Sequence, residues 1–508
     1  MSAGISAGTS AQNGAHVLAI DQGTSATKCV LVDEAGRIVA KASAPLGERY
    51  PQPGWVEQDA DEIWHSVLAA VAQCLAQRPG ARIAGVGLST QRESALVWQR
   101  ADGRALTPLL SWQDQRTVAQ RDRLAAGAGV EALVRERSGL PLDPMFSALK
   151  INWLLDQVDV DRARSRSGAL CVGTVDAFLL SRLGAGAVAE IGNASRTQLL
   201  DVQRAQWDDE LLALFNVPAQ ALPRLVPSLA RHAEAGALHA SLAGVPVHAV
   251  MADSHSALFA HGAYEAGEVK ATLGTGSSVM GLSSTQSAGR TPHPGLCLTI
   301  AWDAGAGPVQ ALEGNIRAAG STLRWVAELF GLTSDDAAAL AAQGSSDGVC
   351  LVPAFNGLGA PWWDAHAVGL LSGLSLKTTR TQLLAAAVES IAHQVADVLE
   401  AMDGSVGGIR RLLVDGGPSR NAHLRELLAA GIARPVVHCT DPELSALGVA
   451  HLAGLGAGLW DWAALRALPR AQQQTDVPAR PAASVAAGRA AWARAVAQSR
   501  HRGPAPAA

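Results

Sequence analysis

Residues 16–32, HVLAIDQGTSATKCVLV, read as a short apolar strand that breaks at Asp-Gln-Gly-Thr-Ser and resumes almost at once as a second strand. Gly23 lets the backbone turn tightly, and its missing side chain lets amide groups approach an anion. Thr24 and Ser25 add hydroxyl donors, Asp21 can hold a metal or its waters, and Lys28 can meet a phosphate. A nucleotide phosphate with Mg2+ calls for this set. The loop is not a Walker loop, which runs from strand to helix and ends in Gly-Lys-Ser/Thr. A plain hairpin turn stays open as the alternative, since Asp and Gly are ordinary turn residues.

The pattern recurs. Residues 268–282, EVKATLGTGSSVMGL, again give strand, Gly-Thr-Gly-Ser, strand. Two copies about half a chain apart suit two similar domains, each contributing one phosphate hairpin, as in actin-like ATPases. A third glycine site, RRLLVDGGPSRNAHLRELLAA at 410–430, reads as a buried strand, a Gly-Gly turn and a helix. Gly416 and Gly417 let a flat adenine or ribose lie on the backbone, and Asn421 can hydrogen-bond it. Three such loops in this order point to a nucleotide cleft.

A chain of 508 residues folds as two or three domains, each able to bury a full core. A net charge of -4 provides no basic field, which speaks against nucleic acid or an anionic membrane as partner. The six cysteines are scattered without a CxxC pair, the pattern of reduced thiols in a cytoplasm. No apolar run is long enough to span a bilayer, and no zinc-ligand spacing occurs. Residues 1–15 are small and polar and read as a disordered leader. The expected first domain covers 16–254 and the second 255–462, with a hinge near 254–262. Residues 463–508, rich in Ala, Arg, Pro and Gln, read as a peripheral helix (483–499) and a disordered tail ending HRGPAPAA. Alternating strands and helices, such as the helix at 60–78 followed by the strand ARIAGVGLST at 81–90, indicate an α/β architecture.

In STQRESALVW (89–98) a strand delivers Gln91, Arg92 and Glu93 at its end. Forked donors beside acceptor oxygens suit the hydroxyls of a polyol or sugar, while a surface ion pair is the bland alternative. Trp112, in SWQDQRT, offers a flat face to a carbon chain or else fills the core. Asp114 and Arg116 read as structural partners. Asp253, in MADSHSALF, follows an apolar strand and precedes a helix. It suits either the base that takes a proton from an attacking hydroxyl or a helix N-cap. His255 reads as a structural histidine more readily than as a shuttle.

These stretches, with GWVEQDADEIW, GTVDAFLLSRL, NASRTQLLDVQRAQWDDELL, LEGNIRAAGSTLRW and SALGVAHLAGL, together resemble the FGGY carbohydrate kinase family, within which the chain is most similar to glycerol kinases. The resemblance covers roughly residues 16–462. It implies two actin/hexokinase-like (ribonuclease H-like) α/β domains with a cleft between them that closes over ATP, Mg2+ and a hydroxylated acceptor. It further implies a homo-oligomer. By position it implies phosphate contacts at Thr24, Ser25 and Thr275, with Ala26 in place of a serine and Lys28 in place of an arginine. Gly320, Arg324, Gly417 and Asn421 match nucleotide positions, although Arg324 replaces a glutamine. Asp21 would position the metal and Asp253 would be the catalytic base. Arg92, Glu93 and Trp112 match the polyol site.

Three departures bear on the acceptor. Met145 stands where a glycerol-binding tyrosine is usual, Ser254 replaces a glutamine beside the catalytic aspartate, and Ser278 replaces an aromatic wall. The first removes a hydrogen-bonding tip and the last opens volume. The resulting expectation is an ATP-dependent kinase for a small polyol, with glycerol first and a tetritol, pentitol or ketose second. A catalytically inactive sugar sensor and an actin-like ATPase are the readings from other classes.

Overall fold

The structure, a computed structural model, describes residues 14–284, 293–441, 443–478 and 482–501. The expected disordered leader and most of the expected disordered end lie outside these residues. The elements that position the candidate site are, in chain order, strands β1 (Ala15–Gln22), β2 (Ala26–Val32), β3 (Ile38–Pro45), β4 (Arg82–Thr90), β5 (Leu229–Glu234) and β6 (Pro246–Ala252). They continue with β7 (Glu268–Leu273), β8 (Ser277–Leu282), β9 (Pro308–Ile316), β10 (Arg411–Asp415), β11 (Val436–Cys439) and β12 (Gln472–Thr475). The helices are α1 (Ala60–Ala76), α2 (Ser147–Val158), α3 (Asp253–Ala260), α4 (Gly320–Leu329) and α5 (Arg380–Met402), then α6 (Ala422–Ile432), α7 (Leu444–Gly456) and α8 (Ala482–Arg500).

Two compact units form. The first takes the chain to Gly262, Leu298–Gln310 and Glu443–Pro469; the second takes Ala263–Cys297, Ala311–Pro442 and the chain from Arg470. In the first, the sheet order is β5-β6-β4-β1-β2-β3. Strand β1 is a near-continuous apolar run, with Val17, Leu18, Ala19 and Ile20 all buried, as a central strand covered on both faces requires. It runs antiparallel to β2, with Asp21 opposite Lys28, and parallel to β4, with Asp21 opposite Ser89. Strand β6 is parallel to β4, with Ala252 opposite Thr90. The carboxyl ends of β1, β4 and β6 therefore bring Asp21, the 91–93 segment and Asp253 to one edge, where open α/β sheets bind ligands. Helix α1 starts at Asp59, whose side chain accepts from the Asp61 and Glu62 amides, and buries Ile63, Trp64, Val67, Val71 and Cys74.

The 443–469 segment departs from the expected domain boundary at 462. It packs with the first unit because α7 carries small residues that admit close approach. A Cβ on Gly448 would meet the Ser256 carbonyl oxygen at 1.8 Å, and one on Gly87 would meet that of Val449 at 2.5 Å. This contact defines α7 as a cover of the first sheet. The break between the units falls at 262/263, beyond α3.

In the second unit the sheet runs β9-β8-β7-β10-β11-β12. Strands β7 and β8 form an antiparallel hairpin closing at Leu273 opposite Ser277, and β7 is parallel to β10, with Thr272 opposite Asp415. The tail helix is not peripheral, contrary to the sequence expectation. Trp492 on α8 is 1% exposed and donates its Nε1–H to Asp397 of α5 (2.8 Å), while Arg489 pairs with Asp397 and Glu400. A tryptophan this deep makes α8 part of the unit's core. Among the described residues no helix is long and apolar enough to cross a membrane.

Candidate active site

In the first unit the strand ends gather a charged cluster on a buried polar bed. Gln91 Nε2 donates to Gln58 Oε1 (2.9 Å) and Gln22 Oε1 (3.2 Å), and Ser94 Oγ donates to Gln91 Oε1 (2.8 Å). On this bed Arg92 and Glu93 are 8% and 4% exposed, which rules out the surface ion pair that the sequence left open. Arg92 Nε lies 3.4 Å from Asp253 Oδ1 and 3.7 Å from Glu93 Oε1, bridging two carboxylates. Glu93 has φ 61°, a left-handed conformation that a glutamate adopts only where its surroundings enforce it. Two contacts enforce it here. Arg196, 0% exposed, holds the Glu93 carboxylate at 2.7 Å, and Ser147 Oγ donates to its main-chain oxygen at 3.0 Å.

Asp253 is the first residue of α3, the N-cap being Ala252, so the capping alternative does not describe it. Its Oδ1 accepts from the Ser254 amide at 2.6 Å, and its side chain is 34% exposed, within reach of a ligand. Ser254 sits beside it on the same turn. His255 is fully buried, in keeping with a structural role. Asp21 accepts from Ser89 Oγ at 2.9 Å. Burial, then the charge of Asp253, push its carboxyl up to about 7. A buried carboxyl whose ionisation a neighbouring carboxylate opposes is a ready partner for a cation. Among the described residues no three metal-ligating side chains group together. The donor set therefore fits Mg2+ held by one or two carboxylates with waters and phosphate oxygens, not a metal caged by protein.

The hairpin after β1 is joined to this cluster. Trp112 Nε1 donates to Thr24 Oγ1 at 3.1 Å, and Gln58 Nε2 donates to the Thr24 carbonyl at 2.6 Å. Trp112 is 38% exposed, so its ring is not core filling. The Thr24 and Ser25 hydroxyls stand at the turn, which closes through the Gly23 amide to the Ala26 carbonyl (3.1 Å). Lys28 is paired with Glu443 at 3.0 Å, so a phosphate at this hairpin has to compete with that carboxylate. Arg116 and Asp114 are structural, as their spacing implied: the guanidinium pairs with buried Asp114 and with Glu57 (both 2.8 Å) and lies 3.8 Å from the Trp55 ring. Exchanging Trp112 for phenylalanine keeps a ring and removes the donor to Thr24. The expected result is a drop in kcat/KM of about fivefold, one hydrogen bond's worth, measured by steady-state kinetics.

The second unit builds a cradle from its three glycine loops. The Gly320 amide donates to the Gly274 carbonyl (2.9 Å), and the Ala319 amide and Ser321 hydroxyl both donate to the Thr275 carbonyl (2.9 Å each). A Cβ on Gly320 would come within 2.6 Å of the Gly274 oxygen and 3.0 Å of Pro418 Cγ, so the loops touch where only glycine fits. Gly416 has φ 88°, and a Cβ there would lie 2.1 Å from the Leu273 oxygen. Thr275, Arg324 and Gly417 are exposed at the rim, and Asn421 caps α6 by accepting from the Leu424 amide (3.3 Å). Ser278 donates to the fully buried Glu313 (2.7 Å). Beneath the loops, Lys270 Nζ donates to Thr272 Oγ1 (2.8 Å), and Thr272 donates to Asp415 (3.1 Å).

Two first-unit residues escaped the sequence reading. Arg196 lay within NASRTQLLDV with nothing to mark it as a partner of Glu93. Lys150 went unremarked in DPMFSALK; it is buried and donates to the carbonyls of residues 144–146, the loop that carries Met145.

The family model for the N-terminal domain of FGGY carbohydrate kinases matches residues 16–260, and that for the C-terminal domain matches residues 269–457. The chain is 42% identical over 499 residues to an apulose kinase of Pectobacterium atrosepticum, covering 96% of this chain and 98% of that one. It is 41% identical over 461 residues to a glycerol kinase of Geobacter sp. strain M21, with 89% and 92% coverage. The crystal structure of Plasmodium falciparum glycerol kinase with ADP matches with a TM-score of 0.89 at 25% identity, over 96% of this chain and 99% of that one. A xylulose kinase from Rhodospirillum rubrum shares the fold, with a TM-score of 0.85 at 24% identity over 95% and 98% of the two chains.

Proposed function

Since the chain belongs to the FGGY family of carbohydrate kinases, we propose that it transfers the γ-phosphoryl group of ATP to a terminal hydroxyl of a small polyol or sugar, glycerol being the first acceptor to consider. The observation that carries this reading is the convergence of Arg92, Glu93 and Asp253 with Asp21 at the strand ends. Arg92 and Glu93 offer fixed donors and acceptors for adjacent hydroxyls, and Trp112 presents a flat face to the carbon chain. Asp253 takes the proton of the attacking hydroxyl as the bond to phosphorus forms, and the bond between the γ-phosphorus and the bridging oxygen breaks to release ADP. Thr24, Ser25, Lys28 and Thr275 bind phosphate oxygens, while Gly320, Arg324, Gly417 and Asn421 hold the nucleoside. Mg2+, held at Asp21, would supply neutralising charge on the phosphates. Ala26 brings no hydroxyl to this set.

A second acceptor reading rests on Met145, Ser254 and Ser278, and on similarity to the apulose kinase that equals similarity to glycerol kinases. It assigns the enzyme a longer polyol or ketose such as erythritol, xylulose, ribulose, erythrulose or apulose. Replacing Met145 by tyrosine is the discriminating variant. If Met145 lowers the use of glycerol, the added hydroxyl raises kcat/KM for glycerol about fivefold, the worth of one hydrogen bond. An unchanged preference would remove Met145 from the acceptor site.

A further inference from the structure

Lys150 lies on the first turn of α2, yet its side chain is 0% exposed. A buried ammonium needs compensation, and here three consecutive main-chain carbonyls provide it: Pro144 (2.8 Å), Met145 and Phe146 (3.4 Å). An ammonium has three N–H donors and no acceptor, so it matches three carbonyls; a neutral amine has one donor fewer. The segment so held runs beneath Glu93. Ser147 donates to the Glu93 carbonyl, and the Phe146 ring lies 5.2 Å from the Arg196 guanidinium that holds the Glu93 carboxylate.

We infer that Lys150, in its ammonium form, is a positioning residue for the acceptor: by gathering the carbonyls of residues 144–146 it fixes Met145 and supports the left-handed Glu93. The inference rests on the assignment of Arg92, Glu93 and Met145 to the acceptor. Glu93, Asp114 and Asp143 face the ammonium and favour its charge, while Arg116 opposes it. Burial outweighs them and brings Lys150 down from 10.5 to about 8. Acceptor affinity therefore falls as the pH passes 8, while nucleotide affinity, set by other residues, does not. Titration of Lys150 does not by itself destabilise the fold over this range. A lysine whose folded value is depressed adds stability as the pH rises from about 8 to 10.5, because the fold prefers the neutral form.

The test measures KM for the best acceptor of a panel of glycerol, erythritol, ribitol, xylitol, xylulose, ribulose, erythrulose and apulose, and KM for ATP, from pH 7 to 9. Acceptor KM is expected to rise about fivefold over that range, with ATP KM flat, as the fraction of charged lysine falls. In Lys150→Met the acceptor KM is expected to be about tenfold higher at pH 7 and independent of pH, with kcat at saturating acceptor retained. The wild-type profile stands by itself should that variant not fold. Turnover with an acceptor KM that stays flat to pH 9, or a rise shared equally by ATP, overturns the inference alone. No turnover with any acceptor removes the acceptor assignment and the inference with it.

Discussion

Asp253→Asn is expected to lower kcat by about 10²–10⁴-fold, the usual worth of a general base, and to leave ATP binding intact. Asparagine keeps the shape of the side chain and an oxygen that can accept from the Ser254 amide, as Asp253 does at 2.6 Å. It loses the basic oxygen to which the proposed mechanism assigns the acceptor's proton. The loss has an upper limit because phosphoryl transfer depends chiefly on alignment and on neutralising charge, and those contributions come from other residues. Arg92 loses one carboxylate partner, at 3.4 Å, and retains Glu93 at 3.7 Å. Acceptor KM is accordingly expected to shift much less than kcat. Single-turnover phosphorylation alongside calorimetric ATP binding checks this, and near-normal turnover would remove Asp253 as the base.

The second large effect is expected at Gly416→Ala. The position combines φ 88° with a carbonyl oxygen 2.1 Å from where the new Cβ would stand, on the central strand β7. Strain at a left-handed position costs about 1–3 kcal/mol, and forcing extra volume into a packed site costs about as much again. Because the clash is with backbone, a side-chain rotation cannot relieve it. The DGG loop must then move away from Leu273 and Gly274, and the cradle around Thr275 and Gly320 opens. The expected result is a Tm lower by several degrees and loss of measurable ATP binding at concentrations that saturate the wild type. Gly431→Ala, on α6 of the same unit, serves as the control, since nothing lies within 4 Å of its added Cβ. Equal behaviour of the two variants would contradict the role given to Gly416.

Much of this was legible in the chain itself. The two hairpins stood out because apolar runs break at Asp-Gln-Gly-Thr-Ser and Gly-Thr-Gly-Ser, and the helix expected at 60–78 occurs at Ala60–Ala76. What stayed hidden depends on long-range packing. Nothing local in SALGVAHLAGL states that its glycines admit Ser256 and the first sheet, so the unit against which the segment packs was not legible. Trp492 looked like part of a polar tail until Asp397 and Arg489 gave its indole a buried partner. The burial of Arg92 and Glu93 was undecidable from the sequence, because an Arg-Glu pair at a strand end also occurs as a surface ion pair. The conformation of Glu93 has no sequence signature, and the burial of Lys150 has none either.

The central claim is that the strand-end cluster receives a polyol or sugar for phosphorylation by ATP. Its most direct test is acceptor-dependent ADP release with Mg2+ and ATP across glycerol, erythritol, ribitol, xylitol, xylulose, ribulose, erythrulose and apulose. The account predicts release above the acceptor-free rate for at least one of these, abolished by Asp253→Asn. Preference for glycerol would mean that Met145, Ser254 and Ser278 are tolerated; preference for a longer acceptor would make them the residues that choose it. ATP bound without release for any acceptor would contradict the account and leave a sugar sensor in its place.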